Sequence, residues 1–216
     1  MFWRLLPHAS ACIAGGGVFL LDVRQDRYFR IPPAALSEMT DWLDCRHGRT
    51  PPPAIVQLLR RAGVYREGDQ PPSNVLRNRV AIPQRPVCRP DATGNALPAM
   101  VRQVVMTSLR LRFSSLGAIL AGIRLHARPP APSDTKPALE AAAEFDRARI
   151  FVPIARDCLL DSLALEAALA SREIGYQLIF GIAPRPFMAH CWLQTRDAIL
   201  NDSYDHVSHF TPILAL

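Results

Sequence analysis

The sequence lacks several features that would assign a protein directly to a class. No run of about 18 apolar residues is free of charged side chains, so a helix spanning a membrane is not expected. The five cysteines show no C-x-x-C spacing, which argues against a structural zinc site and against the disulfide framework of a secreted protein. Neither G-x-x-x-x-G-K-[ST] nor G-x-G-x-x-G is present, so no nucleotide or other cofactor is expected to bind through motifs of this chain.

A secretory signal is also missing, although residues 9–11 before Cys12 imitate a signal-peptidase site. A secretory apolar region needs roughly 7–15 unbroken residues. The residues that precede the imitated site are interrupted by Arg4, Pro7 and His8. Together with the cysteine pattern, this predicts a cytoplasmic protein.

Lysine is nearly absent, because Lys136 is the single lysine among 25 basic residues. Residues 1–130 carry 18 basic and 8 acidic side chains, whereas residues 131–216 carry 7 basic and 11 acidic ones. Such a split indicates two units with different partners. The arginines are spread over the basic part rather than clustered on one recognition helix, so no nucleic-acid partner is expected, although salt-dependent DNA binding would revive that hypothesis.

The first 65 residues have the pattern of a small domain with strands followed by helices. Three short strands are predicted, at residues 11–14, 18–22 and 27–31. Turns are predicted at the glycine triplet 15–17 and at residues 24–26. Two helices are predicted next, one from Pro32 to Gly48 and one over residues 53–62.

The middle of the chain reads as a connection followed by helices. Residues 66–97 contain five prolines among polar residues, which predicts an extended linker. Residues 98–126 predict a basic amphipathic helical region, interpreted as packing helices with a solvated face rather than a membrane or nucleic-acid surface. A proline-rich break at 129–137 precedes a further helix at about 138–145.

The last sixty residues carry the candidate chemistry. Asp157 is a predicted N-cap for a helix that begins at Cys158 and ends before Gly175. The free N–H groups and the dipole at a helix N-terminus lower the pKa of a cysteine, and they make its sulfur nucleophilic. Three strands are predicted to follow, at residues 176–182, 187–195 and 198–201. They place His190 on the second strand and Asp202 just after the third.

A cysteine nucleophile needs a base within hydrogen-bond reach and a group that orients the base. If the strands pack against the helix start, Cys158, His190 and Asp202 converge. Each residue alone has a plainer interpretation, as a small buried cysteine, a strand histidine or a turn former. Cys191 is expected to point to the opposite strand face from His190 and to be structural. Three residues compete with the candidate base and orienter, namely Asp205, His206 and His209.

The combination of a cysteine helix, a histidine strand and an aspartate resembles the papain-like transglutaminase core. Residues 157–216 resemble the C-terminal domain of the lasso-peptide B proteins, which are maturation proteases. The resemblance is carried by DCLLDSLAL at 157–165, FMAHCWLQ at 187–194, ILND at 199–202 and FTPIL at 210–214. It implies that Cys158 is the nucleophile, His190 the base and Asp202 its orienter.

A second resemblance covers VFLLDVRQDRYFRIPPAALSEMTDWL at 18–43, which is similar to the small winged-helix-like leader-recognition domain of the same family. That resemblance implies three helices after the strands, of which the sequence predicts two. It also implies that a leader peptide adds as a strand to a sheet edge. Strand 27–31 is the edge candidate, beside the helix at 53–62. The expected leader-binding residues are Arg27, Tyr28, Phe29, Arg30, Ile31, Leu58 and Leu59.

The sequence therefore predicts an α+β protein with a recognition domain at 1–65, a linker at 66–97 and a transglutaminase-like cysteine peptidase domain at 98–216, whose catalytic core is 150–216. The resemblance implies leader removal from a lasso-peptide precursor and a partner cyclase that is asparagine-synthetase-like and uses ATP. Any ATP dependence is expected to come through that cyclase. No metal site is expected. Two alternatives stay open, a non-catalytic leader-binding adaptor and an acyltransferase that uses an amine in place of water.

Overall fold

The computed structural model describes residues 2–44, 53–63, 65–68, 80–84 and 97–216. The chain combines helices and strands, as predicted for an α+β protein. Its internal contacts define two compact units. The first contains Met1–Val80, Ile182–Met188 and Thr211–Ala215, and the second contains Ala81–Gly181, Ala189–Phe210 and Leu216. Among the helices of the described ranges, none has the length and apolar character needed to cross a membrane.

The first unit begins with a meander of short strands. Strands β2 (Ala9–Ala14), β3 (Gly17–Asp22) and β4 (Arg27–Arg30) form an antiparallel sheet in the order β2-β3-β4. Gly15 and Gly16 make the turn between β2 and β3 with φ of +52° and +72°, a backbone region that favours glycine. The three predicted strands and the glycine turn are therefore confirmed. The sequence pattern did not reveal strand β1 (Phe2–Leu5).

Two helices cover one face of this sheet. They are α1 (Leu36–Asp44) and α2 (Pro53–Arg61). The apolar core of this domain consists of Ala11, Val18, Leu20, Ile31, Met39, Ile55 and Leu59. The predicted helix end at Gly48 lies outside the described residues.

Strand β5 (Tyr65–Gly68) pairs antiparallel with β1. The predicted linker 66–97 therefore begins within a strand. Of its remaining residues, the structure describes 80–84, which have no regular secondary structure, and Leu97, which begins the next helix. The rest of the linker lies outside the described residues.

The second unit contains four helices in succession. They are α3 (Leu97–Phe113), α4 (Leu116–His126), α5 (Thr135–Arg149) and α6 (Cys158–Ala170). The helical region predicted over 98–126 thus consists of two helices, because the Ser115 side chain accepts the N–H of Ala118 and starts α4 anew. Helices α3 and α5 pack against α6. The buried side chains of α6 include Leu160, Leu163 and Leu165.

A three-stranded sheet completes the chain, built from β6 (Gln177–Pro184), β7 (Phe187–Gln194) and β8 (Thr211–Ala215) in the order β7-β6-β8. The prediction of a third strand at 198–201 is wrong. That segment turns back tightly on β7 and forms an isolated bridge between Gln194 and Ile199. The third strand of the sheet is β8, which follows the short helix α7 (Tyr204–Val207).

Candidate active site

Cys158 lies at the first position of α6, where local sequence determines the helix start. The side chain of Asp157 accepts hydrogen bonds from the N–H of Leu159 at 2.9 Å and from the N–H of Leu160 at 3.1 Å. The predicted N-cap is therefore confirmed. The cap leaves the half-buried thiol of Cys158 at the positive end of the helix dipole, where a thiolate is stabilised.

His190 and Asp202 meet on the sheet side of the site. The Nε2 atom of His190 lies 2.5 Å from Oδ2 of Asp202. The imidazole also contacts two aromatic rings, with centroid distances of 6.0 Å to Trp192 and 5.0 Å to Phe210. The carboxylate and the rings hold the imidazole in one orientation, with Nδ1 left to face the thiol. The structure thus brings together the three residues that the sequence singled out.

The charges of the site follow from these contacts. Hydrogen bonds from Cys191 and His190 lower the pKa of Cys158 to about 4, against the opposing effect of burial. Burial disfavours the charged form of His190, but hydrogen bonds with Asp202 and Cys158 outweigh it and raise its pKa to about 9. Burial also opposes ionisation of Asp202, whose hydrogen bond with His190 nevertheless holds its pKa below the ordinary value. These opposite shifts of the two pKa values favour a thiolate beside an imidazolium over the neutral pair.

Cys191 was predicted to point away from the site, on the opposite strand face from His190, and this prediction is wrong. Cys191 is buried, and its thiol hydrogen-bonds the sulfur of Cys158. This contact and burial together raise the pKa of Cys191 well above its ordinary value, so it stays protonated and donates. The alternation of side chains along β7 was expected to keep Cys191 away from the site. It does not, because the sulfur of Cys158 contacts both His190 and Cys191.

His206 adds a second imidazole to the same carboxylate. Its Nδ1 atom lies 2.9 Å from Oδ2 of Asp202, and its side chain is about half exposed. Asp205 and His209, the other two competitors, are exposed on and just after α7. Of the acidic candidates, Asp202 is the one whose carboxylate contacts the His190 ring.

The ligand atoms of His190, Asp202 and His206 lie within 4.8 Å of one another, so these side chains could hold a metal ion. Their closest approaches are 2.5 and 2.9 Å, which are hydrogen-bond distances. Ligands around a tetrahedral zinc stand roughly 3.3 Å apart, given bond lengths near 2 Å. The arrangement therefore fits a proton-sharing network better than a metal centre.

The residues predicted to bind a leader differ in how deeply they are buried. Ile31 and Leu59 are buried in the domain core, with 1% and 0% exposure, so they support the surface from beneath rather than forming it. Phe29 and Leu58 pack partly against that core. Arg27 and Arg30 are exposed on β4, and Tyr28 is half-buried between them.

Backbone register decides which groups of β4 face outward. The N–H of Ile31 donates to the carbonyl of Val18 at 2.9 Å, and Phe29 lies opposite Leu20 in the same register. Because hydrogen-bonded pairs alternate along an antiparallel ladder, the N–H of Phe29 points toward β3. The N–H groups of Tyr28 and Arg30 point toward the sheet edge.

A cavity of about 240 Å³ lies beside this strand within the first unit. The ring of Phe187 forms one wall, stacked 6.1 Å from Phe19 and edge-on at 5.5 Å to Tyr28. Sequence reasoning missed Phe187, because it is far from β4 in the chain. The lining residues are Phe19, Tyr28, Phe29, Arg30, Pro184 and Phe187.

Comparison with known proteins assigns the chain to a family. Residues 103–215 match the model of the transglutaminase-like superfamily. A stretch of 47 residues is 38% identical to the microcin J25-processing protein McjB of Escherichia coli. That alignment covers 22% of this chain and 23% of McjB. No solved structure matches the chain. Because the family model covers more than half of the sequence, the chain belongs to the transglutaminase-like superfamily.

Proposed function

We propose that this protein is a cysteine peptidase that removes the leader from a lasso-peptide precursor. The observation that carries the proposal is the contact of the Cys158 sulfur with His190, whose other nitrogen is bonded to Asp202. A thiolate at a helix N-terminus, an adjacent imidazolium and an orienting carboxylate are the groups that acyl transfer through cysteine requires. The similarity to a microcin-processing protein supports the choice of substrate.

The proposed reaction begins with attack of the Cys158 thiolate on the scissile carbonyl carbon. The N–H of Cys158 is one donor to the oxyanion that forms. Collapse breaks the C–N bond, while Nδ1 of His190 gives its proton to the leaving amine and a thioester forms between the leader and Cys158. His190 then takes a proton from water, which attacks the thioester. The products are a leader with a free carboxylate and a core peptide with a free α-amine.

Leader recognition is proposed for the N-terminal domain, residues 1–65, through the edge of β4. The outward N–H of Arg30, the exposed side chains of Arg27 and Arg30 and the adjacent aromatic cavity support this choice. A leader added as a strand would draw its affinity from ladder hydrogen bonds and its specificity from the cavity.

The domain at 98–216 would carry the chemistry, with the segment 66–97 between the two. The product amine would be used by an asparagine-synthetase-like cyclase as a partner protein in the cytoplasm. ATP would be consumed by that cyclase, because the hydrolysis described above needs only water.

The test is incubation with candidate lasso-peptide precursors taken from genes that neighbour the gene of this chain, with and without a neighbouring cyclase and ATP, in water enriched in ¹⁸O. Mass spectrometry is expected to show a free core amine and one ¹⁸O atom in the new leader carboxylate. A leader joined to an added amine would instead identify an acyltransferase. Tight precursor binding without either product would identify an adaptor.

A further inference from the structure

A buried hydrogen-bond network lies behind the candidate catalytic residues. Ser162 on α6 is fully buried, and its hydroxyl donates to the carbonyl of Cys191 at 3.0 Å. The same oxygen accepts a hydrogen bond from Nδ2 of Asn201 at 2.8 Å. The Oδ1 atom of Asn201 in turn accepts the backbone N–H of Leu193 at 2.8 Å. Two side chains thus connect α6, β7 and the loop that carries Asp202.

Each end of this network is next to a candidate catalytic residue. Ser162 lies four residues after Cys158, one helical turn along the same face of α6. The carbonyl that it binds belongs to Cys191, the neighbour of His190. Asn201 directly precedes Asp202. A shift of any one element would break a hydrogen bond of the network. The bond of Ser162 to the Cys191 carbonyl is buried and the two bonds of Asn201 are partly buried, and a buried polar group that loses its partner destabilises the structure.

We propose that Ser162 and Asn201 are positioning residues that hold Cys158, His190 and Asp202 in one reactive arrangement. The inference rests on the proposed catalytic role of those three residues. Ser162 and Asn201 contact each other and the backbone of β7, and Ser162 also hydrogen-bonds the side chain of Cys191. They therefore act through the elements that they join and through that thiol. A displacement of about 1 Å in a reacting group can slow a reaction by about 10²-fold.

The test compares Ser162→Ala and Asn201→Ala with the control Thr195→Val. Thr195 is also fully buried, and its hydroxyl accepts the N–H of Ala198 at 3.2 Å in the same loop. The control therefore removes a buried hydroxyl close to the network while leaving the links to α6 intact. The readouts are the thermal unfolding midpoint and the rate at which iodoacetamide alkylates Cys158 across pH, followed by mass spectrometry of the Cys158 peptide.

Both network variants are expected to react at least about 10-fold more slowly near pH 5 than the unmodified protein, with the acid limb moved to higher pH. Thr195→Val is expected to lower the unfolding midpoint and to keep the original profile. The proposal would be overturned if folded Ser162→Ala and Asn201→Ala proteins showed an unchanged dependence of the Cys158 alkylation rate on pH. It would also be overturned if Thr195→Val moved the acid limb of that profile by the same amount.

If Ser162→Ala fails to fold, the partly exposed Asn201 provides the deciding variant. Failure of both variants to fold would also overturn the proposal, because the network would then serve the fold itself. Alkylation needs no peptide substrate. Absence of leader cleavage by the unmodified protein would therefore count against the proposed function and leave this inference standing.

Discussion

The Nε2 atom of His190 lies 2.5 Å from Oδ2 of Asp202, and this one distance assigns the two nitrogens of the imidazole. Because Nε2–H donates to the carboxylate, Nδ1 is the nitrogen left to exchange a proton with the sulfur of Cys158. The ring can then exchange a proton at Nδ1 without losing its orientation.

Replacing the sulfur should separate binding from chemistry. Cys158→Ala is expected to abolish leader removal and to leave precursor binding unchanged. The other thiol of the arrangement, that of Cys191, does not replace the thiolate, because it is buried and its pKa is raised. Mass spectrometry of the precursor after incubation with the cyclase measures the first effect, and a binding titration measures the second. Normal cleavage by the variant would show that Cys158 is not the nucleophile.

The carboxylate should matter for orientation more than for the fold. Asp202→Asn is expected to reduce turnover by between about 10-fold and 10⁴-fold, because an amide favours the wrong imidazole tautomer. Asp205→Asn is the matched control, since Asp205 is exposed on α7 and should tolerate the change. The measurement is the turnover number of each variant. A larger loss of turnover in Asp205→Asn than in Asp202→Asn would show that Asp202 is not the residue that orients His190.

The pH dependence of turnover should be bell-shaped. Below about pH 4 the Cys158 thiolate becomes protonated and loses its nucleophilicity, and above about pH 9 His190 loses the proton that the leaving amine needs. Cys191→Ala removes the hydrogen bond that contributes most to the low pKa of Cys158, so the acid limb should move to higher pH.

The matched control for this shift is Cys12→Ala, which removes a buried thiol from strand β2. The profile of turnover against pH should stay unchanged in that variant. An acid limb that does not move in Cys191→Ala would show that the contact between the two sulfurs has no effect on reactivity.

Leader affinity should depend on the outward N–H groups of β4. Arg30→Pro removes the N–H that points toward the sheet edge, and the loss of one ladder hydrogen bond is expected to weaken leader binding by about 2- to 12-fold. Arg30→Ala keeps this N–H while removing the side chain that lies over Phe19, so it separates the two contributions.

A titration of labelled leader by fluorescence anisotropy measures both variants, with circular dichroism to verify folding. Unchanged affinity in a folded Arg30→Pro protein would exclude β4 as the docking edge. Phe29→Pro is a poorer probe, because the N–H of Phe29 points toward β3 and its loss would damage the sheet.

Arg149 should be essential for stability. Its guanidinium is buried, bonds Asp161 at 2.6 Å and donates to the carbonyls of Ile154 and Ala155 at 3.0 Å each, in the segment that leads to Cys158. Arg149→Met should cost about 3–5 kcal/mol of unfolding free energy, because it leaves a partly buried carboxylate and the carbonyls of Val152, Ile154 and Ala155 without their partner.

The control is Arg172→Met, which breaks a more exposed ion pair with Glu144 and should cost about 0–1 kcal/mol. Denaturant titration compares the two variants. Equal losses of unfolding free energy in Arg149→Met and Arg172→Met would contradict the stabilising role assigned to Arg149.

Local sequence determined the features that depend on near neighbours in the chain. Consecutive glycines sufficed for the turn at Gly15 and Gly16, since only a residue without a side chain adopts positive φ readily at both positions. Asp157 sufficed for the start of α6, because a cap acts on N–H groups two and three residues away. The placement of Cys158 at a helix start and of His190 on a strand was likewise predicted from the sequence, whereas the strand expected before Asp202 does not form.

Tertiary structure alone decided the contacts between distant segments. The hydrogen bond of Cys191 to Cys158 and the link from Ser162 to Asn201 join residues more than thirty positions apart, and no periodicity reports such pairs. Tertiary structure also decided that β8, and not residues 198–201, forms the third strand of the sheet. Which segment pairs with a sheet edge depends on which segment the fold brings next to that edge. Local propensity specifies the elements, whereas side-chain packing between them determines which polar groups meet.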